Sequence, residues 1–394
     1  MKKICFIDRY AKYSTDLFEY IKQTSDSKEL EFLFLGPKDS EVIYSKILKN
    51  TISQVWKNES YFEDISDAIK KENPEIVHFS FELKTFGSIF NAIKFPFLLK
   101  KIKKNHTKII LTLHNILVLK NENRWDIPPY NPTKLPRVIV RILLKKYMSY
   151  LCSFCDKVIV GTNLGKKALI EFYGINQEKV NIITLGVPKK ESLENNTKVI
   201  NEKFPDKKII LYFGVISPRK GQQTAIESFL QIYDKLDEYV LVIVGKAPKE
   251  FKEYEKYLHR LISENKLEDK IFLLGFLPEN EVQNLFKNSE MALFIYEPMT
   301  SSTHALTYAM QYEIPVIVSD IEIFHEILPQ EAATFVIPKN KSNLNEAILE
   351  LGKNQDLRER RKKEMKNVSI KNDMKNSAEK YLSLYHELIK MDFV

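Results

Sequence analysis

The sequence is short of the features that mark secreted, membrane-spanning and nucleic-acid-binding chains. It has three cysteines in 394 residues, whereas a disulfide scaffold uses more of them in a shorter chain. Cys152 and Cys155 form a CxxC, but no second Cys/His pair at zinc spacing accompanies them. They read as core thiols at a helix end beside the strand Val158-Ile159-Val160. After Met1-Lys2-Lys3 only Ile4-Cys5-Phe6-Ile7 is apolar before Asp8 and Arg9, so a signal-peptide core is missing. No apolar run approaches the roughly 18 residues of a membrane span. The expected location is the cytoplasm, at most peripheral on the inner face of the cell membrane. Helix-turn-helix, zinc-finger and RNA-binding signatures are missing as well, which argues against a nucleic-acid partner. No glycine-rich loop follows the first strand, where Arg9-Tyr10-Ala11-Lys12-Tyr13 stands instead.

What is present is the composition of a packed globular protein: 44% apolar and 28% charged residues, with 24 Phe and 19 Tyr. A single core seldom grows past roughly 250–300 residues, so this length favours two domains. The net charge of +8 is unevenly spread. Lys94, Lys100, Lys101, Lys103, Lys104 and Lys108 interleave with Phe95, Phe97, Leu98, Leu99 and Ile102. Arg137, Arg141, Lys145 and Lys146 interleave with Val138, Ile139, Val140, Ile142, Leu143 and Leu144. Both stretches read as amphipathic helices with a core face and a solvated basic face. The sharper alternative is a surface that meets anionic lipid headgroups.

Short β-branched and aromatic runs alternate with helical patterns, the signature of βα units and parallel sheets. The first series predicts strands at 3–7, 31–35, 75–79, 108–113, 157–160 and 180–184. Ser60 with Glu63 predicts a capping box at one helix start. The series breaks over 187–207, a polar stretch with Pro188, Asn195-Asn196 and Pro205 that reads as a linker. The second series predicts strands at 208–213, 239–244, 271–274, 291–295, 315–318 and 334–336. From Ser342 onward the pattern is helical, and Tyr381, Leu382, Leu384, Tyr385 and Leu388 stripe the last helix. The expected architecture is therefore α/β with two Rossmann-like parallel-sheet domains, 1–190 and 191–372, and a closing helix over 373–394. In such sheets ligands bind beyond the carboxyl ends of the strands, so two facing domains make a central cleft.

Two segments carry candidate chemistry. In Tyr212-Phe213-Gly214-Val215-Ile216-Ser217-Pro218-Arg219-Lys220-Gly221 a strand runs into a glycine- and proline-bearing turn with two cations at its tip. Cations at a strand end suit a diphosphate, whose oxygens accept charge-assisted hydrogen bonds and whose departure as an anion needs stabilising. A solvated basic turn is the plainer reading. In Tyr296-Glu297-Pro298-Met299-Thr300-Ser301-Ser302-Thr303-His304 small hydroxyl residues precede a helix, either as simple caps or as part of an anion site at its N-terminus. Both segments fall at strand ends of the same domain.

These residues bring out a resemblance. The second half resembles the family 4 retaining glycosyltransferases in the turn with Lys220-Gly221, in Val242-Ile243-Val244-Gly245-Lys246, in Gly275-Phe276-Leu277, and in Ala309-Met310 ahead of Pro315-Val316-Ile317. The first half is similar in Pro74-Glu75-Ile76-Val77-His78-Phe79, in Thr112-Leu113-His114-Asn115, and in Asn181-Ile182-Ile183-Thr184-Leu185-Gly186-Val187. The resemblance implies a GT-B fold and a hexosyltransferase-type enzyme of polysaccharide biosynthesis. A nucleotide-diphosphate sugar would be the donor, held by the second domain, and a glycan or lipid-linked acceptor would lie on the first. It implies no cofactor and no required metal, and a last helix crossing back to the first domain. Lys220, with Arg219, would bind the donor diphosphate. Gly214, Ser217, Gly245, Lys246, Ser301, Ser302, Thr303 and His304 would line the donor site, and His114 would face the transferred sugar.

The chain departs from the family pattern in three places, one of them the missing glycine-rich loop after the first strand. The Glu-x7-Glu pair is replaced by Thr300 and Tyr308, with Glu297 the nearest carboxylate, and the phosphate-binding arginine position holds Val215, so Arg219 is the expected substitute. These losses leave open a non-catalytic nucleotide- or glycan-binding protein, or a nucleotide-sugar epimerase.

Overall fold

In a computed structural model of the chain the described residues are 1–9, 12–24, 29–38, 52–83, 85–117, 135–190, 203–204, 206–299 and 303–390. The chain divides into two compact units, Met1–Gly186 with Met374–Val394, and Val187–Asp373.

The first unit is built from β1 (Lys2–Ile7), α1 (Lys12–Gln23), β2 (Leu30–Pro37), β3 (Ile52–Trp56), α2 (Tyr61–Glu72), β4 (Ile76–Phe81), α3 (Ile89–Lys103), β5 (Lys108–Leu113), α4 (Arg137–Ser153), β6 (Lys157–Val160), α5 (Asn163–Lys167) and β7 (Val180–Ile182). Its strands form a seven-stranded parallel sheet in the order β3-β2-β1-β4-β5-β6-β7. β4, Ile-Val-His-Phe-Ser-Phe, is buried along its whole length, as a parallel strand covered on both faces must be. The strand order reverses between β1 and β4, the kind of switch point at which α/β sheets open a crevice for ligands. Ile7 pairs with Phe79, and Ser80 pairs with Thr112, so the carboxyl ends of β1, β4 and β5 are level.

Three expectations for this unit need correction. β3 was not foreseen, because an edge strand hides one face only and Ser53 and Gln54 interrupt its apolar run. α2 does begin after Ser60, but the capping box does not form. The Ser60 hydroxyl donates to Asp64 Oδ2 at 2.6 Å, and Glu63 pairs with Lys101 at 3.1 Å. The third concerns α4, whose buried residues are Met148, Leu151 and Cys152. Its first turns, expected to carry a core face, expose Val138, Ile139, Ile142 and Leu143. All three cysteines are buried free thiols, and burial pushes Cys152 up to about 12, which leaves the CxxC pair as packing residues.

The second unit contains β8 (Lys208–Phe213), α6 (Gln222–Phe229), β9 (Tyr239–Val244), α7 (Lys252–Glu264), β10 (Ile271–Gly275), α8 (Glu279–Lys287), β11 (Ser289–Phe294), α9 (His304–Gln311), β12 (Val316–Ser319), α10 (Glu322–Ile327), β13 (Ala333–Val336), α11 (Lys341–Lys353) and α12 (Gln355–Lys371). Its six-stranded parallel sheet has the order β10-β9-β8-β11-β12-β13, which again reverses, here between β8 and β11. Ala225, Ile226 and Phe229, at helical spacing, form the buried face of α6.

The last helix, α13 (Met374–Lys390), belongs to the first unit. Its Met374, Ala378, Tyr381, Leu382, Leu384, Tyr385 and Leu388 pack in one cluster with Ile4, Phe6, Leu17, Phe18 and Ile21, and each large apolar side chain buried this way stabilises by about 1.5–3 kcal/mol. His78, in the middle of β4, bonds the Tyr385 hydroxyl through Nδ1 and the Thr112 hydroxyl through Nε2, both at 2.7 Å. A buried imidazole needs both ring nitrogens satisfied, and the helix supplies one partner.

Candidate active site

At the switch point of the second unit, the chain leaves β8 at Gly214, passes Val215 and Ile216, and turns through a single 3₁₀ turn, Pro218–Lys220, into α6. Gly221, at φ 81°, makes the join: a Cβ there would lie 2.2 Å from the Ile295 carbonyl oxygen. Gln222 is fully buried and staples the loop by donating to the Val215 carbonyl at 2.9 Å. Beneath the turn, the Tyr212 hydroxyl donates to the Lys220 carbonyl. The loop after β11 is tied on by the Glu297 N–H, which donates to the Arg219 carbonyl at 2.9 Å. The loop after β9 approaches even more closely, since a Cβ on Gly245 would fall 1.8 Å from the Gly214 oxygen. The Gly245 N–H in turn donates to the Gly275 carbonyl at 2.8 Å. Three loops at adjacent strand ends thus lock into one surface.

Lys220 is the buried cation of this surface, 8% exposed. Burial, and secondarily the charge of Arg219, pushes its ammonium down to about 7. Its Nζ stands 3.6 Å from the centroid of the Tyr296 ring, where the ring's negative face favours the charged form. Arg219 is half-buried beside it and Lys246 is exposed. The turn therefore holds Lys220 against a protein wall and is not a solvated basic loop.

Glu297 is paired with Lys339 at 2.6 Å. Tyr308, at the second position of the missing Glu-x7-Glu pair, stacks on Phe286 and donates its hydroxyl to the Glu279 carboxylate, at 2.8 Å to Oε1 and 2.9 Å to Oε2. A carboxylate thus stands next to the position where the sequence lost one. Thr303 and His304 open α9, but Thr303 makes no side-chain cap bond. Ser301, Ser302 and Thr300 lie outside the described residues.

In the first unit His114 follows β5, and its Nε2 lies 2.7 Å from the Ser80 hydroxyl oxygen. Beside Ser80, directly after β1, is Asp8, 6% exposed. Asp8 Oδ1 accepts the Arg9 N–H at 2.7 Å, while Oδ2 is buried with no partner. Burial pushes this carboxyl up, and the nearby Ser14 and Ser80 hydroxyls, the His114 side chain and the Arg9 N–H offset part of that push. The Arg9 guanidinium is turned toward Asn58 and the Thr85 carbonyl.

The structure therefore gathers Gly214, Ser217, Arg219, Lys220, Gly245 and Lys246 around one turn, with Glu297, Thr303 and His304 on the neighbouring loop and helix. His114 lies in the other unit. Sequence reading missed Asp8, Ser80, Tyr296 and Glu279. The available signal was a carboxylate and a hydroxyl in otherwise apolar strand ends. Among the described residues no group of three or more His, Cys, Asp or Glu could hold a metal ion.

Residues 194–368 match the family described as glycosyl transferases group 1, and residues 42–191 match Glycosyltransferase Family 4. The chain belongs to the family 4-like glycosyltransferases. It is 26% identical to the O-antigen chain mannosyltransferase RfbU of Salmonella typhimurium over 63% of this chain, and it spans 65% of that protein. It is 27% identical to the O-antigen biosynthesis glycosyltransferase WclY of Escherichia coli over 86% of this chain and 84% of that one. Among solved structures, Anabaena HepE in complex with UDP and glucose matches 98% of this chain and all of its own, with a TM-score of 0.73 at 14% identity. Sucrose-phosphate synthase from Thermosynechococcus elongatus matches with a TM-score of 0.76 at 14% identity, over 99% of this chain and 100% of that one. The two parallel-sheet units of this glycosyltransferase thus have the GT-B fold.

Proposed function

We propose that this glycosyltransferase moves a sugar from a nucleoside diphosphate sugar to a glycan or lipid-linked acceptor in the assembly of a cell-surface polysaccharide, with retention at the anomeric carbon. The observation that carries the reading is Lys220, a buried cation at the switch point of the second unit with Arg219 beside it. A leaving diphosphate is an anion, and the Lys220 ammonium, desolvated, fixed and charged once the diphosphate is bound, costs no reorganisation when that charge develops. The acceptor hydroxyl attacks from the face the diphosphate leaves, and a phosphate oxygen takes its proton. Lys220 and Arg219 supply the positive charge, so the reading needs no metal ion, and His114 is read as a residue that contacts the transferred sugar. Further support comes from the relatives, two of which are named for O-antigen assembly, and from HepE, whose structure holds UDP and glucose.

The test is incubation of the full chain with UDP-sugars and GDP-sugars, with and without lipid-linked acceptors, in the presence of a chelator. The expected result is an acceptor-dependent product with the anomeric configuration of the donor. Nucleotide binding without product would favour the non-catalytic reading, and a changed sugar formed from donor alone would favour the epimerase. Lys220→Ala is expected to lower turnover by about a hundredfold or more.

The acceptor side adds a second element. No helix among the described residues is long and apolar enough to cross a membrane. However, α3 and α4 pack on one another, and Phe90 is 79%, Val138 69%, Ile93 54%, Phe97 53%, Leu143 51% and Ile142 50% exposed. Lys94, Lys100, Lys101, Lys104, Arg141, Lys145 and Lys146 on the same two helices are exposed as well. Apolar side chains interleaved with cations suit an anionic membrane interface, where a lipid-linked acceptor would be presented. Co-sedimentation with anionic but not neutral vesicles at low salt is expected, and Val138→Glu with Ile142→Glu should abolish it. Protein that stays in the supernatant with anionic vesicles removes this element.

A further inference from the structure

The carboxyl end of the first sheet holds a cation that the proposed reaction leaves without a task. Arg9, two residues beyond β1, is half-buried. Its Nη1 donates to Asn58 Oδ1 at 3.2 Å and to the Thr85 carbonyl at 3.0 Å. These anchors belong to the loops after β3 and β4, which are tied to each other. Asn91 Nδ2 donates to the Asn58 carbonyl at 3.0 Å and to the Phe86 carbonyl at 2.6 Å. Gly87, at φ 90°, lets the loops close, since a Cβ there would lie 2.9 Å from Asn58 Cγ. The guanidinium is thus held from one end. Its Nε and Nη2, the two donors of the other edge, have no partner among the described residues, and no carboxylate there pairs with it.

A part-buried cation with only neutral acceptors has lost hydration without gaining a counter-charge. Asp8, next in the chain, does not supply one. Its Oδ1 accepts the Arg9 backbone N–H, its Oδ2 has no partner, and burial pushes the carboxyl up toward the neutral acid. No acidic residue stands in the first turn of α1, which begins three residues on. A planar edge of two N–H donors matches two oxygens of a phosphate ester or of a carboxylate. The surroundings select the phosphate, because Thr85 lies in the short loop that opens α3, whose first turns expose Phe90 and Ile93. Apolar contacts beside an anion site fit a lipid carried on a phosphate or diphosphate.

We propose that Arg9 binds the phosphate or diphosphate ester through which the acceptor is joined to its lipid, with the apolar chain along the exposed start of α3. The inference rests on the reading of the first unit as the acceptor unit, and it narrows the acceptor to saccharides linked to a lipid through phosphate. Asn58 and Thr85 are positioning residues here: they fix the plane of the guanidinium and leave its Nε and Nη2 edge for the ester. Arg9 contributes binding alone, and no bond forms or breaks at it.

Calorimetry of the full chain tests this with two probes, inorganic pyrophosphate and farnesyl diphosphate below its micelle concentration, both with UDP at saturation. The wild type is expected to bind both, and farnesyl diphosphate about tenfold or more tightly. Arg9→Gln should weaken both by about tenfold or more, the loss of a charge-assisted pair, while its UDP affinity, measured alone, stays within about twofold. Asn58→Asp lays a carboxylate against Nη1 with Arg9 still in place, so it should also weaken both probes, by about threefold or more. Phe90→Glu should weaken farnesyl diphosphate alone. No binding by the wild type, or both probes unchanged in Arg9→Gln and Asn58→Asp, overturns the proposal. A fall in UDP affinity equal to that of the probes gives Arg9 to the donor diphosphate and overturns it too. Equal wild-type affinity for the two probes marks a site for free phosphate and overturns the lipid assignment. None of these readouts needs turnover, so a failure of the glycosyl-transfer reading leaves them intact. Conversely, product from a lipid-linked acceptor at wild-type KM in Arg9→Gln would sink this inference and leave that reading standing.

Discussion

The Lys220 ammonium stands 3.6 Å from the centre of the Tyr296 ring, a cation held against an aromatic face before any anion arrives. Burial brings it down to about 7, so above that pH the free protein increasingly holds a neutral amine. A diphosphate binds the charged form and must recruit a proton. Between pH 7.5 and 9, UDP affinity is therefore expected to fall with rising pH, approaching about tenfold per unit. Calorimetry in two buffers of different ionisation enthalpy should report uptake of close to one proton. Lys220→Arg, charged throughout this range, should flatten the profile; a wild-type affinity independent of pH would remove Lys220 from the phosphate site.

The same turn depends on two close backbone approaches. A side chain on Gly245 would meet the Gly214 oxygen at 1.8 Å and one on Gly221 the Ile295 oxygen at 2.2 Å, whereas Gly275, at a φ of 70° close to the 81° of Gly221, has open space. Gly245→Ala and Gly221→Ala should each destabilise by more than about 3 kcal/mol, and Gly275→Ala by only about 1 kcal/mol from backbone strain. Urea unfolding midpoints check the ranking. Equal costs at all three positions would mean that the loops are not locked as described.

The sheets were legible because a parallel strand buried on both faces is written as an uninterrupted apolar run. Tyr239–Val244, Lys108–Leu113 and Lys208–Phe213 fall where their residues predict. The edge strand Ile52–Trp56 was not, since half of it faces outward. Lys220 and Arg219 were legible because a cationic turn between strand and helix is a local pattern. Ser80 and Glu279 were not, because their meaning comes from partners 34 and 29 residues away in sequence, His114 and Tyr308. Similarly, the exposure of Val138 and Ile142 contradicts their helical spacing, because periodicity reports that a face is apolar but not what covers it.

Tyr308 replaces a glutamate of the family pattern and bonds Glu279. Restoring the glutamate should not help. Tyr308→Glu would set a second carboxylate against the first and remove a ring stacked on Phe286, with a cost of about 2–4 kcal/mol. Adding Glu279→Gln should recover part of that loss, and the coupling energy from the double-mutant cycle should exceed about 1 kcal/mol. Additive effects would show that the two side chains do not act as a pair.

His78 ties the last helix into the first sheet, and its protonation should set part of the acid limit of stability. With the ring fully buried, its pKa falls to about 3, while in the unfolded chain it is near 6.5. Between these values the unfolded chain binds the extra proton, so stability rises with pH across the window and is lost as pH falls from 6.5 toward 3. The slope contributed approaches about 1.4 kcal/mol per unit. His78→Gln should lack this component when unfolding free energies of variant and wild type are subtracted from pH 7 down to pH 4.5. Tyr385→Phe should instead cost about 1–3 kcal/mol at neutral pH, because it strands the imidazole Nδ1 that now bonds the Tyr385 hydroxyl at 2.7 Å. Loss of α13 protection in hydrogen exchange on that variant would locate the cost at the helix, and unchanged protection with unchanged stability would show that the hydroxyl does not hold it.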